Sequence, residues 1–92
     1  MRIIVKAFAT LREIFGGTGI LYLELPEGST IKDLLEKLRE QYGSNLDVSG
    51  FVDENPSVKI LVNGREITYL DGLGTRLRDG DSVAFIPPVA GG

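Results

Sequence analysis

The residues with a chemistry of their own lie in the last eight positions, FIPPVAGG, residues 85–92. A glycine carboxylate is inert until it is activated. As an acyl-adenylate it gains a good leaving group, and its carbonyl carbon then accepts a nucleophile. Glycine suits that task because it has no Cβ, so Gly91 and Gly92 form a slender thread that can enter a narrow channel in another protein. Pro87 and Pro88 fix φ and lack N–H donors, so they stop a strand and project the chain outward. Val89 and Ala90 supply small apolar contacts along such a channel. Extended, the six residues 87–92 reach roughly 20 Å. The plainer alternative is a frayed chain end, as most termini are.

The rest of the composition narrows the choice. The chain has 92 residues, no cysteine and no histidine, which removes thiolate metal sites, a cysteine nucleophile and the commonest general base. Its formal net charge of −3 argues against nucleic acid as a partner, because phosphate recognition needs a basic surface. Hydrophobic residues at 42% and charged residues at 25% describe one globular domain, with roughly 60–65% of its unfolded surface buried. No apolar run approaches the ~20 residues of a membrane span, and MRIIVKAFA is too short and too soon charged for a signal peptide. A cytoplasmic location is the expectation.

The elements that position the tail follow from periodicity. RIIVKAFA (residues 2–9) reads as a strand, with Ile3, Val5 and Ala7 on one face and Ile4, Lys6 and Phe8 on the other. Residues 10–15 suit one or two helical turns, and ILYLEL (residues 20–25) is a second strand, antiparallel to the first. Thr30 and Asp33 resemble a capping box, and Ile31, Leu34, Leu35, Leu38 and Tyr42 make one apolar helical stripe. Lys32–Glu36 and Asp33–Lys37 form i,i+4 pairs on the wet side, and Gly43 ends the helix. Residues 44–57 read as a loop in which Phe51 and Val52 return to the core. VKILV, residues 58–62, is a strand. Asn63-Gly64 predicts a type I′ hairpin, and REITY (residues 65–69) returns. Residues 71–78 are irregular, Asp79-Gly80-Asp81 is a turn, and SVAFI (residues 82–86) is the last strand. Asp79 and Asp81 suit turn chemistry better than a metal site, since too few oxygens converge. A right-handed crossover makes the first and last strands central parallel neighbours.

The fold class expected is therefore α+β: a β-grasp, ubiquitin-like roll with a mixed four- to five-stranded sheet and one main helix on one face. Residues 1–86 form the domain and residues 87–92 a flexible Gly-Gly tail. The pattern KAFATLREI, the hairpin LVNGREI and above all LRDGDSVAFIPPVAGG (residues 77–92) resemble the small subunit of molybdopterin synthase and its relatives among ubiquitin-like sulfur carriers. The loop at residues 43–56 and the Gly-rich stretch 71–75 are longer than in the shortest members, which leaves the pathway open.

That resemblance implies a relay. An E1-like enzyme adenylates Gly92 with ATP, a sulfur donor converts it to a thiocarboxylate, and the charged carrier inserts residues 87–92 into the large synthase subunit to deliver sulfur to a pterin precursor. The carrier is then a non-catalytic subunit that binds no cofactor or metal; the ATP belongs to the activating partner. Two other classes stay open: a modifier joined through Gly92 to lysines of target proteins, and a plain β-grasp interaction module with an idle end. A carrier for thiamine or tRNA thiolation is a lesser variant.

Alternation also predicts where partners dock. Val83 and Phe85 face the helix, while Ser82, Ala84 and Ile86 face away, and a two-residue turn pairs Leu61 with Glu66 on the outer face. Ile4, Phe8, Leu61 and Ile86 then form an exposed apolar cluster at the root of the tail, with Lys6 and Lys59 at its rim. A patch of that kind on a small protein usually marks an interface.

Overall fold

The computed structural model describes residues 1–8, 17, 19–42 and 58–86. Strand β1 spans Arg2–Ala7, β2 Ile20–Glu24, β3 Lys59–Val62, β4 Arg65–Glu66 and β5 Ser82–Ile86, with helix α1 at Ile31–Tyr42. The five strands form one sheet in the order β2-β1-β5-β3-β4. β1 and β5 are parallel at its centre, with Val5 opposite Val83, and every other pairing is antiparallel. This is the mixed sheet and single main helix of a β-grasp roll.

Burial follows the pleat. In β1, Ile3, Val5 and Ala7 are buried, and in β5 Val83 and Phe85 are fully buried. Against them lie Ile31, Leu34, Leu35 and Leu38 from one stripe of α1, all within 1% of complete burial. Tyr42 packs at the edge of the same cluster. Phe85 is the largest of the fully buried side chains, so the last strand contributes more to the core than its five residues suggest.

The helix starts as its sequence requires. Thr30 N–H donates to Asp33 Oδ2 at 2.9 Å, and Asp33 N–H donates back to Thr30 Oγ1 at 3.4 Å. The Asp33 carboxylate also accepts from the Thr30 hydroxyl at 3.1 Å. The salt bridges among the described residues join Met1 and Arg2 to Glu24 and Lys59 to Glu66, and neither helix pair is among them; the cap explains this for Asp33–Lys37. A carboxylate turned back to cap its helix is not available to Lys37 one turn on. Residues 75–77 run beside the helix start, with Ile31 N–H bonded to Thr75 O at 3.0 Å and Leu77 N–H to Ser29 O at 2.9 Å.

The Asn63-Gly64 turn has φ of 51° and 86°, both positive, as a type I′ turn demands. The strand returning from it is shorter than REITY suggests. Pairing stops after Arg65 and Glu66, and Ile67–Tyr69 form a turn of 3₁₀ helix closed by Leu70 N–H to Ile67 O at 2.9 Å. The chain leaves the sheet there because Ile67 is buried and Leu70 and Leu73 pack on the core, which a continued edge strand would not allow. The expected helical turns at 10–15, the cap at Gly43, the 44–57 loop with Phe51 and Val52, and the tail 87–92 lie outside the described residues.

Candidate functional site

Residues 87–92 follow β5 in sequence, so the site is built outward from the end of that strand at Ile86. On the face turned away from α1, register sets the side chains in rows across the strands. Tyr22, Ile4 and Ser82 make one row; Ile20, Lys6, Ala84, Leu61 and Glu66 make the next; Lys59 lies opposite Ile86 in the third. Phe8 follows Ala7, which is paired with Phe85, and so continues β1 toward the level of Ile86. All four residues expected at the interface thus share this face. Phe8 is 48% exposed, and Ile4, Leu61 and Ile86 are half-buried.

Their arrangement differs from the expectation in two respects. First, Ile4 is not beside Ile86: it pairs with Ser82 at the start of β5, and the half-buried Ala84 lies between Ile4 and Leu61, beside Leu61 and diagonal to Ile4. A methyl at that position leaves a shallow floor between two larger side chains. Second, Lys6 is not at the rim. It is half-buried between Ile20 and Ala84, in the middle of the face, whereas Lys59 does lie at the rim and its Nζ reaches Glu66 Oε2 at 3.9 Å. The Glu66 carboxylate beside Leu61 is in this way matched by a cation.

Two members of the face were missed by alternation within single strands. Ile20 is 51% exposed and Tyr22 63% exposed, and both flank β1 on the open side. The alternation of ILYLE held that signal, but the faces of β2 become assignable only once β2 is paired residue by residue with β1. With them, the apolar surface spreads from the root of the tail across β1 to the free edge of the sheet.

The opposite end of the β1–β5 pair is a clasp. Asp79 Oδ1 accepts from Arg2 N–H at 2.7 Å, and Gly80, at φ 87°, donates its N–H to Arg2 O at 2.8 Å. Asp81 Oδ2 accepts from Arg78 N–H at 2.8 Å, its Oδ1 accepts from Asn63 Nδ2 at 3.0 Å, and its carbonyl accepts from Ile4 N–H at 2.9 Å. Asn63 Oδ1 accepts from Ser82 N–H at 3.0 Å. These carboxylates therefore hold three chain segments together, which is the turn chemistry their spacing implies. Among the described residues no group of three or more acidic side chains is placed to hold a metal ion. Among them, too, no helix is long and apolar enough to cross a membrane.

Comparison with known proteins agrees with this architecture. The model of the ThiS family matches residues 5–92. Small archaeal modifier protein 3 of Haloferax volcanii is 40% identical over 96 residues, covering 100% of both chains. The molybdopterin synthase sulfur carrier subunit of Mycobacterium tuberculosis is 32% identical, over 100% of this chain and 99% of that one. The solution structure of small archaeal modifier protein 1 from Methanosarcina acetivorans superposes with a TM-score of 0.78 at 36% identity, covering 99% of this chain and 96% of that one. A sheet centred on a parallel β1–β5 pair, the DGD clasp and a family match reaching to residue 92 converge on one conclusion: this chain belongs to the ThiS family of ubiquitin-like sulfur carriers.

Proposed function

We propose that this protein carries sulfur on the carboxyl group of Gly92, as the small, non-catalytic subunit of a molybdopterin synthase. In the first step an E1-like partner joins the Gly92 carboxylate to the α-phosphate of ATP, releasing pyrophosphate and forming an acyl-adenylate. A sulfide-equivalent donor then attacks the acyl carbon, AMP leaves, and the chain ends in a thiocarboxylate. Sulfur on an acyl carbon is a far better nucleophile than carboxylate oxygen, which is the reason for the exchange. The carrier supplies only the acyl group and its docking surface; a sequence without Cys or His leaves the catalysis to partners. ATP is consumed at the partner's site, and the cytoplasm is where that supply is met.

The observation that carries this reading is the position of β5. Its core residues Val83 and Phe85 anchor the strand, Ile86 is its last residue, and PPVAGG follows it in sequence, Ile86 itself belonging to the apolar face. Partner contact with Ile4, Phe8, Leu61 and Ile86 would hold the domain while residues 87–92 enter the partner's channel. A second reading, attachment of Gly92 to lysines of other proteins, draws support from the full-length 40% identity to a relative named as a small archaeal modifier protein.

The deciding experiment is the intact mass after incubation with ATP, an E1-like enzyme and a sulfur source. A gain of sulfur minus oxygen, localised to Gly92 by fragmentation or thiol alkylation, is the expected result. Localisation matters because oxidation of Met1, the only methionine, adds nearly the same mass. Lysine-linked products without any thiocarboxylate would support the modifier instead, and an unreactive Gly92 would leave a docking module with an idle end.

A further inference from the structure

A second surface lies away from the tail. Residues 74–78 run past the start of α1 before the DGD clasp, at the end of the sheet from which β1 and β5 begin. From Ser82 to Ile86 the strand covers about 13 Å, so this surface and the tail root are at opposite ends of β5. Here a groove of about 690 Å³ is lined by Tyr69, Leu70, Asp71, Thr75, Arg76 and Arg78, among others.

Three features of the groove belong together. Arg76 and Arg78 flank the buried Leu77, both line the groove, and Arg76 bridges to Thr30 as a strand residue would; alternate residues of such a chain have Cα atoms ~6.6 Å apart. Neither forms a salt bridge among the described residues, although the protein carries a net charge of −3 and acidic groups lie close by. Asp81 uses both carboxylate oxygens and Asp79 one of its two within the clasp, and among the described lining residues Asp71 is the one carboxylate on the groove wall. Finally, Tyr69 is 85% exposed at the wall of this groove and also borders a neighbouring hollow of about 500 Å³ with Leu61, Gly64, Arg65 and Glu66. An exposed tyrosine sharing a groove with two arginines has the composition of an interaction hot spot, and guanidiniums without a salt bridge select carboxylates.

We propose that this groove docks an extended acidic segment of a partner protein, with carboxylates at alternate positions matching Arg76 and Arg78 and an apolar residue against Tyr69. In extended chain, side chains two residues apart lie on one side at the same ~6.6 Å spacing, so Glu-x-Glu fits the arginine pair. The two arginines lie at the end of β5 remote from Ile86, and the inference does not rest on the reading of Gly92.

The test is fluorescence anisotropy with a labelled Glu-Val-Glu-Val-Glu-Leu peptide, its glutamine counterpart, and the Arg76→Glu/Arg78→Glu double variant, with backbone fold checked by circular dichroism. The acidic peptide should bind at low salt. The double variant should weaken it at least about tenfold, and raising the salt to about 1 M, where the Debye length is ~3 Å, should do the same. Tyr69→Ala should weaken both the acidic peptide and any residual binding of the glutamine peptide. Activation of Gly92 by an E1-like enzyme, read by intact mass, should be unchanged in every variant. Equal binding of the glutamine peptide, or an unaffected double variant, overturns the proposal. Competition by tripolyphosphate at the same concentration as the peptide would assign the groove to a phosphate ligand, and self-association abolished by the double variant would assign it to a second copy; either result also overturns it.

Discussion

Where β1 and β5 begin, Asp79, Asp81 and Asn63 tie three chain segments through side-chain hydrogen bonds of 2.7–3.0 Å, and Gly80 adds a backbone bond. Toward Ile86, where β5 stops, the described surface is the open face of Phe8, Ile20, Leu61 and Ile86, with Lys6 set among them and Lys59 at the edge, while Ile4 and Tyr22 carry the same face back to the Ser82 row. One end of the same strand pair satisfies its polar groups within the fold; the other exposes apolar area and leads in sequence to residues 87–92. On the proposed function, the first end holds the strands together and the second meets a partner.

Several measurements break or sharpen this contrast. The largest effect belongs to the delivering end: deletion of Gly91 and Gly92 should abolish ATP-dependent activation, read by intact mass, while the urea midpoint stays within error of the parent. Retained activation would remove the tail from the mechanism. Next is Phe85→Ala, which empties the middle of the core at the strand both ends share; truncation of a fully buried Phe costs about 3–5 kcal/mol, measured by urea unfolding. A much smaller loss would mean that the core does not depend on β5.

At the clasp, Asp81→Ala removes the acceptor for Arg78 N–H and Asn63 Nδ2 and should cost about 1–3 kcal/mol, with no change in partner affinity. On the open face the reverse should hold: Phe8→Asp should weaken binding to the activating enzyme about tenfold or more and leave the urea midpoint unchanged, since Phe8 is half-exposed. Titration calorimetry with the purified partner reads the first quantity. If Phe8→Asp unfolds the protein or Asp81→Ala blocks docking, the division between the two ends fails. The smallest effect is expected from Lys59→Ala, whose 3.9 Å contact with Glu66 is solvent-exposed and should be worth no more than about 1 kcal/mol by urea unfolding.

Much of this was legible in the residues because the relevant signals are local. The capping box at Thr30 and Asp33, the stripe Ile31–Leu34–Leu35–Leu38 and the Asn63-Gly64 turn each depend on neighbours a few positions apart, and each appears where the sequence places it. The return strand after the turn was over-read. Arg65 and Glu66 pair, but Ile67 leaves the sheet because Leu70 and Leu73 have core contacts to reach, and no local pattern encodes that preference. The Asp33–Lys37 pair is absent for a related reason: Asp33 has two possible partners, and the nearer capping geometry takes it.

What the sequence determined by itself was the main helix, the places of the five strands, and the inward and outward residues of β1 and β5, because side-chain alternation and residue type are properties of the chain. Tertiary structure decided the rest. Register between distant strands places Ala84 between Ile4 and Leu61, moves Lys6 from the rim to the middle of the open face, and brings Ile20 and Tyr22 beside them. It also turns Asp79 and Asp81 into a clasp for residues some 20 to 80 positions away in the chain, and sets Arg76, Arg78 and Tyr69 around one groove. Each of these depends on which residues become neighbours when the sheet closes, and that is settled by the packing of the whole core and not by any short stretch of sequence.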